Sequence, residues 1–394
     1  MSLQERWLLP RGIDEVLPPQ ALVLERLRRA ILDCYASWGY ELVIPPLIEY
    51  LESLLTGMGH DLDLQTFKIT DQMTGRLMGI RADITPQVAR IDAHRLNRQG
   101  PARLCYLGPV LHTQSNDFAS SRNPLQIGAE LYGHAGLESD LEVISLMLET
   151  LRLAGAETCH LDIGHVGIVR GLIREAGLSD AREAELFDIL QRKSVPDMHA
   201  FITAADLQAN LATQLIGLLD LNGDNEVLER AMVLFGDAPD ELGQALADLR
   251  RLGGMISARA SGVEVQFDLA ELRGYHYHTG IMFAAYLADQ GQAIASGGRY
   301  DDIGAVFGRA RPATGFSIDL RALAEIRGLL QPAVGGISAP WSEDPELGRE
   351  VARLRAAGER VIITLPGVDQ GREELGCDRV LEFSDGQWRV QPAG

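Results

Sequence analysis

Residues 262–300 read GVEVQFDLAELRGYHYHTGIMFAAYLADQGQAIASGGRY, and this stretch decides the fold. Val263, Val265, Phe267 and Leu269 alternate with polar neighbours, the period of a strand with one buried face. Residues 279–286 and 292–295 continue as strands, followed by Ser296-Gly297-Gly298-Arg299-Tyr300. The glycine pair has no Lys-Ser/Thr and no following helix cap, so it is not a phosphate-cradling loop. It reads instead as a bend in a sheet wall. Strands joined by hairpins, with helices inserted as blocks, predict an antiparallel sheet in an α+β protein rather than a doubly wound parallel one.

Working outward, residues 165–252 turn helical, with apolar runs at 215–221, 227–235 and 242–252, and form an insertion at about 165–255. Ser139-Asp140 reads as the N-cap of an apolar helix running to about Leu153. Residues 103–107 form a strand, and 66–69 and 76–80 flank Asp71-Gln72-Met73-Thr74-Gly75 as a hairpin. Nearer the N-terminus, Val23, Leu27, Ala30, Ile31, Cys34 and Tyr35 share one helical face, which ends at Trp38-Gly39-Tyr40. A strand at 42–44 follows, and a helix at 320–330 closes this core, residues 1–330. Beyond a linker at 332–336, residues 336–394 read as strand, helix, strand and a terminal hairpin around Asp385-Gly386, a small α/β domain.

The 394-residue length suits two or three domains. A composition of 46% hydrophobic and 23% charged residues is that of a soluble globular protein. The net charge of −19 leaves no general basic face for phosphate backbones, which makes tRNA an unlikely partner. Cys34, Cys105, Cys159 and Cys377 lack CxxC spacing and read as reduced, buried thiols rather than a zinc site or disulfide framework. No run reaches the roughly 18–20 apolar residues that span a bilayer, and no signal-peptide pattern is seen at the N-terminus. A cytoplasmic protein is expected.

Three separated stretches carry the polar groups an amino-acid pocket needs: Arg81-Ala82-Asp83-Ile84-Thr85, Gln126-Ile127-Gly128-Ala129-Glu130 and Arg273-Gly274-Tyr275-His276-Tyr277-His278-Thr279-Gly280. An ammonium calls for a carboxylate and a hydroxyl, a carboxylate for an arginine, and a side-chain N–H for an acceptor. Asp83 and Thr85, two apart, would point the same way on an extended segment, and Gln126 and Glu130 would do so on a strand. His276 and His278 would share a strand face as metal ligands do, but no cysteine or carboxylate cluster nearby completes a site.

The order and flanks of these stretches resemble the catalytic core of histidyl-tRNA synthetase over about residues 8–327. Leu9-Pro10-Arg11-Gly12 resembles its opening segment, and residues 43–49 resemble class II motif 1 with Pro46 as the dimer-interface proline. Residues 103–133 resemble motif 2 and 312–323 motif 3. Residues 273–280 resemble the signature Arg-Gly-Leu-Asp-Tyr-Tyr-Thr-Gly, and Gly297-Gly298-Arg299-Tyr300-Asp301 the loop after it. The resemblance implies that Asp83, Thr85 and Gln126 hold a histidine ammonium, Glu130 the imidazole and Arg273 the carboxylate side, with Tyr277 and His278 completing the pocket.

The departures fall on the ATP side. The motif 2 arginine and carboxylate fall on His112 and Gln114, the adenine-stacking phenylalanine on Pro124, and the motif 3 arginine on Ala322, with Arg321 one residue away. Loss of such cations removes the electrostatic stabilisation that usually dominates attack on a nucleotide. The signature's aspartate and second tyrosine fall on His276 and His278. Residues 336–394 are also short for a complete anticodon-binding domain.

Together these features resemble the regulatory subunits of ATP phosphoribosyltransferase, the synthetase-like proteins of histidine biosynthesis. The resemblance implies a homodimer without catalysis, cofactor or metal. It would bind L-histidine as effector and pair with the short-form catalytic subunit of ATP phosphoribosyltransferase. Two other readings stay open: a divergent active synthetase that regains ATP contacts through Arg321 and Arg122, and a stand-alone histidine sensor.

Overall fold

The computed structural model describes residues 7–55, 60–114, 121–236, 240–272, 275, 277–288, 291–326, 335–367 and 374–393. Arg273 and His276 lie outside the described residues, as does most of the linker at 332–336. The chain divides into two compact units: residues 1–16 with 23–329, and residues 17–22 with 330–394.

In the first unit the strands are β1 (Glu41–Val43), β2 (Ile48–Tyr50), β3 (Phe67–Thr70), β4 (Leu77–Ile80), β5 (Ala102–Pro109) and β6 (Leu125–Tyr132). They continue as β7 (Cys159–His165), β8 (Asn222–Gly223), β9 (Val263–Asp268), β10 (Ile281–Tyr286), β11 (Ala295–Arg299) and β12 (Ala313–Asp319). Among the described residues, nine of these form one sheet in the order β1-β5-β6-β12-β11-β10-β7-β9-β8. The six central strands from β5 to β7 are antiparallel throughout, as the hairpin reading predicts. The β7–β9 pair is parallel, because the helical insertion between them makes the crossover that a parallel pair requires. Strands β2, β4 and β3 form a separate antiparallel sheet that contains the predicted hairpin.

Strand alternation decides what each face does. On β6, Ile127, Ala129 and Leu131 join the main core beneath the helix Leu137–Leu153, which packs on β6, β11 and β12. Gln126, Gly128 and Glu130 therefore face the other way. The helix Gln20–Ser37 adds Leu27, Ile31 and Tyr35, spaced four apart, to the same core. The insertion comprises the helices Val166–Ala176, Asp180–Arg192, Val195–Ala204, Ala209–Leu218, Glu226–Leu234 and Asp240–Ser257.

Three local expectations are corrected. Ser139-Asp140 is not the N-cap: Gly136 holds that position, and the Ser139 hydroxyl donates to Gly136 O at 2.7 Å. Asp140 is fully buried, paired with Arg299 at 2.7 Å, because a buried carboxylate demands a cationic partner. Thr85 does not sit on an extended segment. It begins the helix Thr85–Ile91, with Pro86 in the first turn, where a missing N–H costs nothing. Gly297 and Gly298 form no bend. They lie inside β11, paired with Phe316 and Gly315, and a methyl group on Gly297 would come within 2.1 Å of Gly315 O.

In the second unit β13 (Gly336–Ala339), β14 (Val361–Ile363), β15 (Cys377–Ser384) and β16 (Gln387–Pro392) form a sheet in the order β14-β13-β15-β16. The helix Pro345–Ala356 is capped by Asp344, which accepts from Glu346 N at 2.9 Å. It places Leu347, Val351 and Leu354 in one core with Ile337, Ala339, Val361 and Leu381. Asp385 and Gly386, at φ of +51° and +78°, make the tight turn between β15 and β16.

Candidate functional site

Asp83, Thr85, Glu130, Tyr277 and His278 line a single cavity of about 340 Å³ in the first unit. Its volume lies at the lower end of the roughly 300–1,000 Å³ typical of small-molecule sites. Tyr300, Ser296, Gly297, Gly315 and Ser317 extend its wall on β11, β12 and the residue after β11, and the carboxyl side chains of Asp162 on β7, Asp268 on β9 and Glu271 beyond it line the other side. Gly315 is opposite Glu130 in the β6–β12 register, and a methyl group there would lie 1.4 Å from Glu130 Oε2. The backbone itself makes room for the carboxylate.

Glu130 is 1% exposed. Tyr106 donates to its Oε1 at 3.0 Å and Tyr300 donates to its Oε2. Burial pushes its carboxyl up to about 8, and the nearby Asp83 charge adds to this, while the tyrosine hydrogen bonds oppose it. Asp83 is fixed differently. Its Oδ1 accepts from Thr85 N at 3.0 Å and from Gln126 Nε2 at 2.8 Å. Gln126 Oε1 also accepts from Ile84 N at 2.9 Å. Gln126 is not among the residues lining the cavity, and its amide fixes the orientation of Asp83.

Tyr277 stacks at a tilt on Tyr300, ring centroids 5.0 Å apart, and meets His278 edge-on at 5.4 Å. Its hydroxyl is buried without a hydrogen-bond partner among the described residues. Burial, with Glu130 and Asp83 nearby, keeps this phenol neutral, so it can donate to a ligand. The segment is a turn rather than a strand at Tyr277, which removes the basis for a two-histidine strand face. Among the described residues no group of three or more His, Cys, Asp or Glu is placed to hold a metal ion.

Sequence reasoning missed Tyr106. Its only signal is parity: Tyr106 pairs with Gly128 across β5–β6, and its hydroxyl lies 2.4 Å from where a Gly128 side chain would begin. Tyr300 was visible within the Gly-Gly-Arg-Tyr-Asp run, but not as a partner of Glu130.

None of His112, Gln114, Pro124 and Ala322 lines the cavity. His112 Nε2 lies 2.9 Å from Ala82 O, Pro124 O accepts from Val110 N at 3.1 Å, Gln114 is exposed, and Ala322 packs on the main core. The two arginines close to these positions hold carbonyl oxygens of neighbouring segments. Arg122 donates to His112 O at 2.9 Å and Arg11 O at 3.0 Å, and its own N–H donates to Gly12 O at 2.7 Å. Arg321 donates to Asp14 O at 3.1 Å and Asn123 Oδ1 at 3.4 Å.

A central antiparallel sheet, backed by a long helix and carrying a carboxylate-bearing cavity on its other face, is the architecture of the class II aminoacyl-tRNA synthetase-like proteins. Residues 12–323 match the histidyl-tRNA synthetase family, and residues 334–391 match the ATP phosphoribosyltransferase subunit HisZ C-terminal domain. The chain belongs to the family of ATP phosphoribosyltransferase regulatory subunits. It is 56% identical over 392 residues to the regulatory subunit from Thioalkalivibrio sulfidiphilus, covering 99% of each chain. It is 55% identical to that from Pseudomonas aeruginosa, covering 100% of this chain and 99% of the relative. The solved ATP phosphoribosyltransferase regulatory subunit/histidyl-tRNA synthetase from Bacillus halodurans superposes with a TM-score of 0.81 at 29% identity, covering 92% of this chain and 94% of that one. Histidyl-tRNA synthetase from Nostoc sp. PCC 7120 shares the fold, with a TM-score of 0.78 at 18% identity, covering 98% and 97%. Among the described residues no helix is long and apolar enough to cross a membrane.

Proposed function

We propose that this chain is a catalytically silent regulatory subunit that binds L-histidine in the cavity beside Glu130. Through that binding it controls a short-form catalytic subunit of ATP phosphoribosyltransferase. One observation carries the reading: Asp83, Thr85, Glu130, Tyr277 and His278, drawn from three distant stretches, surround one amino-acid-sized cavity. Asp83 and the Thr85 hydroxyl suit an ammonium, and Glu130 suits an imidazole N–H. Arg273 is proposed for the ligand's carboxylate on the strength of the resemblance alone.

The silent half of the reading is supported by the occupied arginines. Arg122 and Arg321 are engaged with carbonyls of residues 11, 14 and 112, which leaves them poorly disposed to clamp a triphosphate. His112 and Ala322 supply no permanent cation in their place. The chain needs no cofactor or metal, acts as a homodimer within a hetero-oligomer, and works in the cytoplasm, where its four free cysteines remain reduced.

The test is to mix the purified chain with a cognate short-form catalytic subunit. A stable interface buries roughly 1,200–2,000 Å² or more, enough to survive size exclusion at micromolar concentration. A larger complex with phosphoribosyltransferase activity that L-histidine inhibits is the expected result. Failure to co-elute, with activity unchanged on mixing, would sink the regulatory reading for this partner.

A further inference from the structure

Tyr275 joins the pocket to a part of the chain that takes no share in lining it. Tyr277 and His278 line the cavity, while Tyr275, two residues earlier, is 5% exposed and packed among the inserted helices. Its ring meets Phe187 edge-on, centroids 4.6 Å apart, and its hydroxyl donates to Glu183 Oε1 at 3.3 Å. Phe187 and Glu183 both belong to the helix Asp180–Arg192.

The backbone is fastened as well. Arg170 donates to Tyr275 O at 2.8 Å, with its guanidinium carbon 5.0 Å from the Tyr275 ring centroid. At the far end of the same segment, Val166 N donates to Gly280 O at 3.1 Å. Both anchors come from the first two turns of the helix Val166–Ala176. Tyr275 and Gly280 are therefore both pinned to one helix, and Tyr275 by its side chain to the next, with the pocket residues Tyr277 and His278 lying between them in sequence.

A ligand shifts a conformational equilibrium only through contacts that differ between its states. The Tyr277 hydroxyl, buried without a partner among the described residues, is a place where a ligand makes a bond that the empty pocket lacks. A shift of Tyr277 cannot be absorbed freely by a segment held at both ends. We propose that Tyr275 is a positioning residue that carries the state of the pocket into the insertion. The helices Val166–Ala176 and Asp180–Arg192 then report ligand occupancy to whatever the chain regulates. The proposal rests on the histidine-pocket reading for its ligand, but not for its mechanical link.

The experiment is hydrogen exchange on the full chain with and without L-histidine, alongside calorimetry, for the unaltered protein, Tyr275→Leu and Tyr275→Phe. In the unaltered chain histidine should change exchange in residues 166–192 as well as in the pocket strands. Tyr275→Leu should keep the histidine Kd within about threefold while the change at 166–192 falls by more than half, a split that a purely structural role does not produce. Tyr275→Phe retains the ring contact with Phe187 and loses the Glu183 bond, so it should fold normally and transmit an intermediate change. Histidine binding with no change at 166–192, or full transmission through Tyr275→Leu, overturns the proposal. If histidine does not bind at all, the pocket reading fails and the link is decided in the ligand-free chain. There Tyr275→Leu must raise exchange at residues 277–280 as well as at 166–192, and a rise confined to 180–192 overturns the link.

Discussion

The Tyr106 hydroxyl donates to Glu130 Oε1 at 3.0 Å while lying 3.1 Å from Thr85 Oγ1, so one phenol on β5 ties the pocket carboxyl to the start of the helix Thr85–Ile91. With Tyr300 on the other oxygen, Glu130 is held in place before any ligand arrives. Such preorganisation lowers the ordering cost of binding. Tyr106→Phe should lower histidine affinity about threefold to tenfold, because a hydrogen bond to a charged or charging group is worth roughly 1.5–3 kcal/mol and Tyr300 retains part of the hold. Calorimetry on the variant measures this directly.

Glu130 should make stability depend on pH. Its folded carboxyl titrates near 8, against an ordinary value of 4.5. Below the ordinary value both folded and unfolded states hold the proton. Between the two values the folded state keeps it and the unfolded state releases it, so this contribution to stability falls as pH rises and levels off above about 8. Urea denaturation at pH 5, 6.5 and 8 should show Glu130→Gln gaining on the unaltered protein at each step. A constant difference across the three would contradict a buried, raised carboxyl.

Ligand binding should rank the pocket residues. Glu130→Ala should weaken histidine binding at least tenfold, since an unpaired buried polar group costs about 1–3 kcal/mol. Asp83→Ala should do comparable damage. Gln126→Ala should do less, because Gln126 acts by holding Asp83 Oδ1 at 2.8 Å. Normal histidine affinity in Glu130→Ala would place the ligand elsewhere.

The chain should show no histidine-dependent exchange of pyrophosphate into ATP when purified free of host synthetase. Restoring arginine at His112 and Ala322 together should not create it, because Gln114 and Pro124 remain. Exchange above background in the unaltered chain would revive the active-synthetase reading.

Arg122→Ala should loosen the segment around residues 11–14, because it removes the guanidinium bond to Arg11 O and leaves only the main-chain bond from residue 122 to Gly12 O. Limited proteolysis should cut there several times faster while histidine affinity stays within about twofold, since the arginine lies outside the cavity wall.

Much of the fold was legible because its periodicities are local. The face of Leu27, Ile31 and Tyr35, the hairpin between β3 and β4 and the antiparallel run through β10 and β11 follow from spacing alone. Thr85 was misread because an Asp-Ile-Thr run has strand parity, whereas Pro86 and the Asp83 carboxylate favour a helix start. Ser139-Asp140 had the chemistry of a cap, but Arg299, 159 residues away, claims the carboxylate. Tyr106 could not be singled out, because its role depends on two strands bringing it under Gly128 and beside Glu130. Local rules gave way where a buried charge needed a distant partner.

Gly297 and Gly315 make part of the cavity wall from bare main chain. A side chain at Gly315 would collide with the Glu130 carboxylate, and one at Gly297 with Gly315 O and the Phe283 ring. What the pocket can recognise is therefore set by the side chains around that main chain, among them Asp83, Thr85, Glu130, Asp162, Asp268, Glu271, Tyr277 and His278. Under the histidine-pocket reading, a lineage that came to bind another ligand would change those side chains and keep the two glycines.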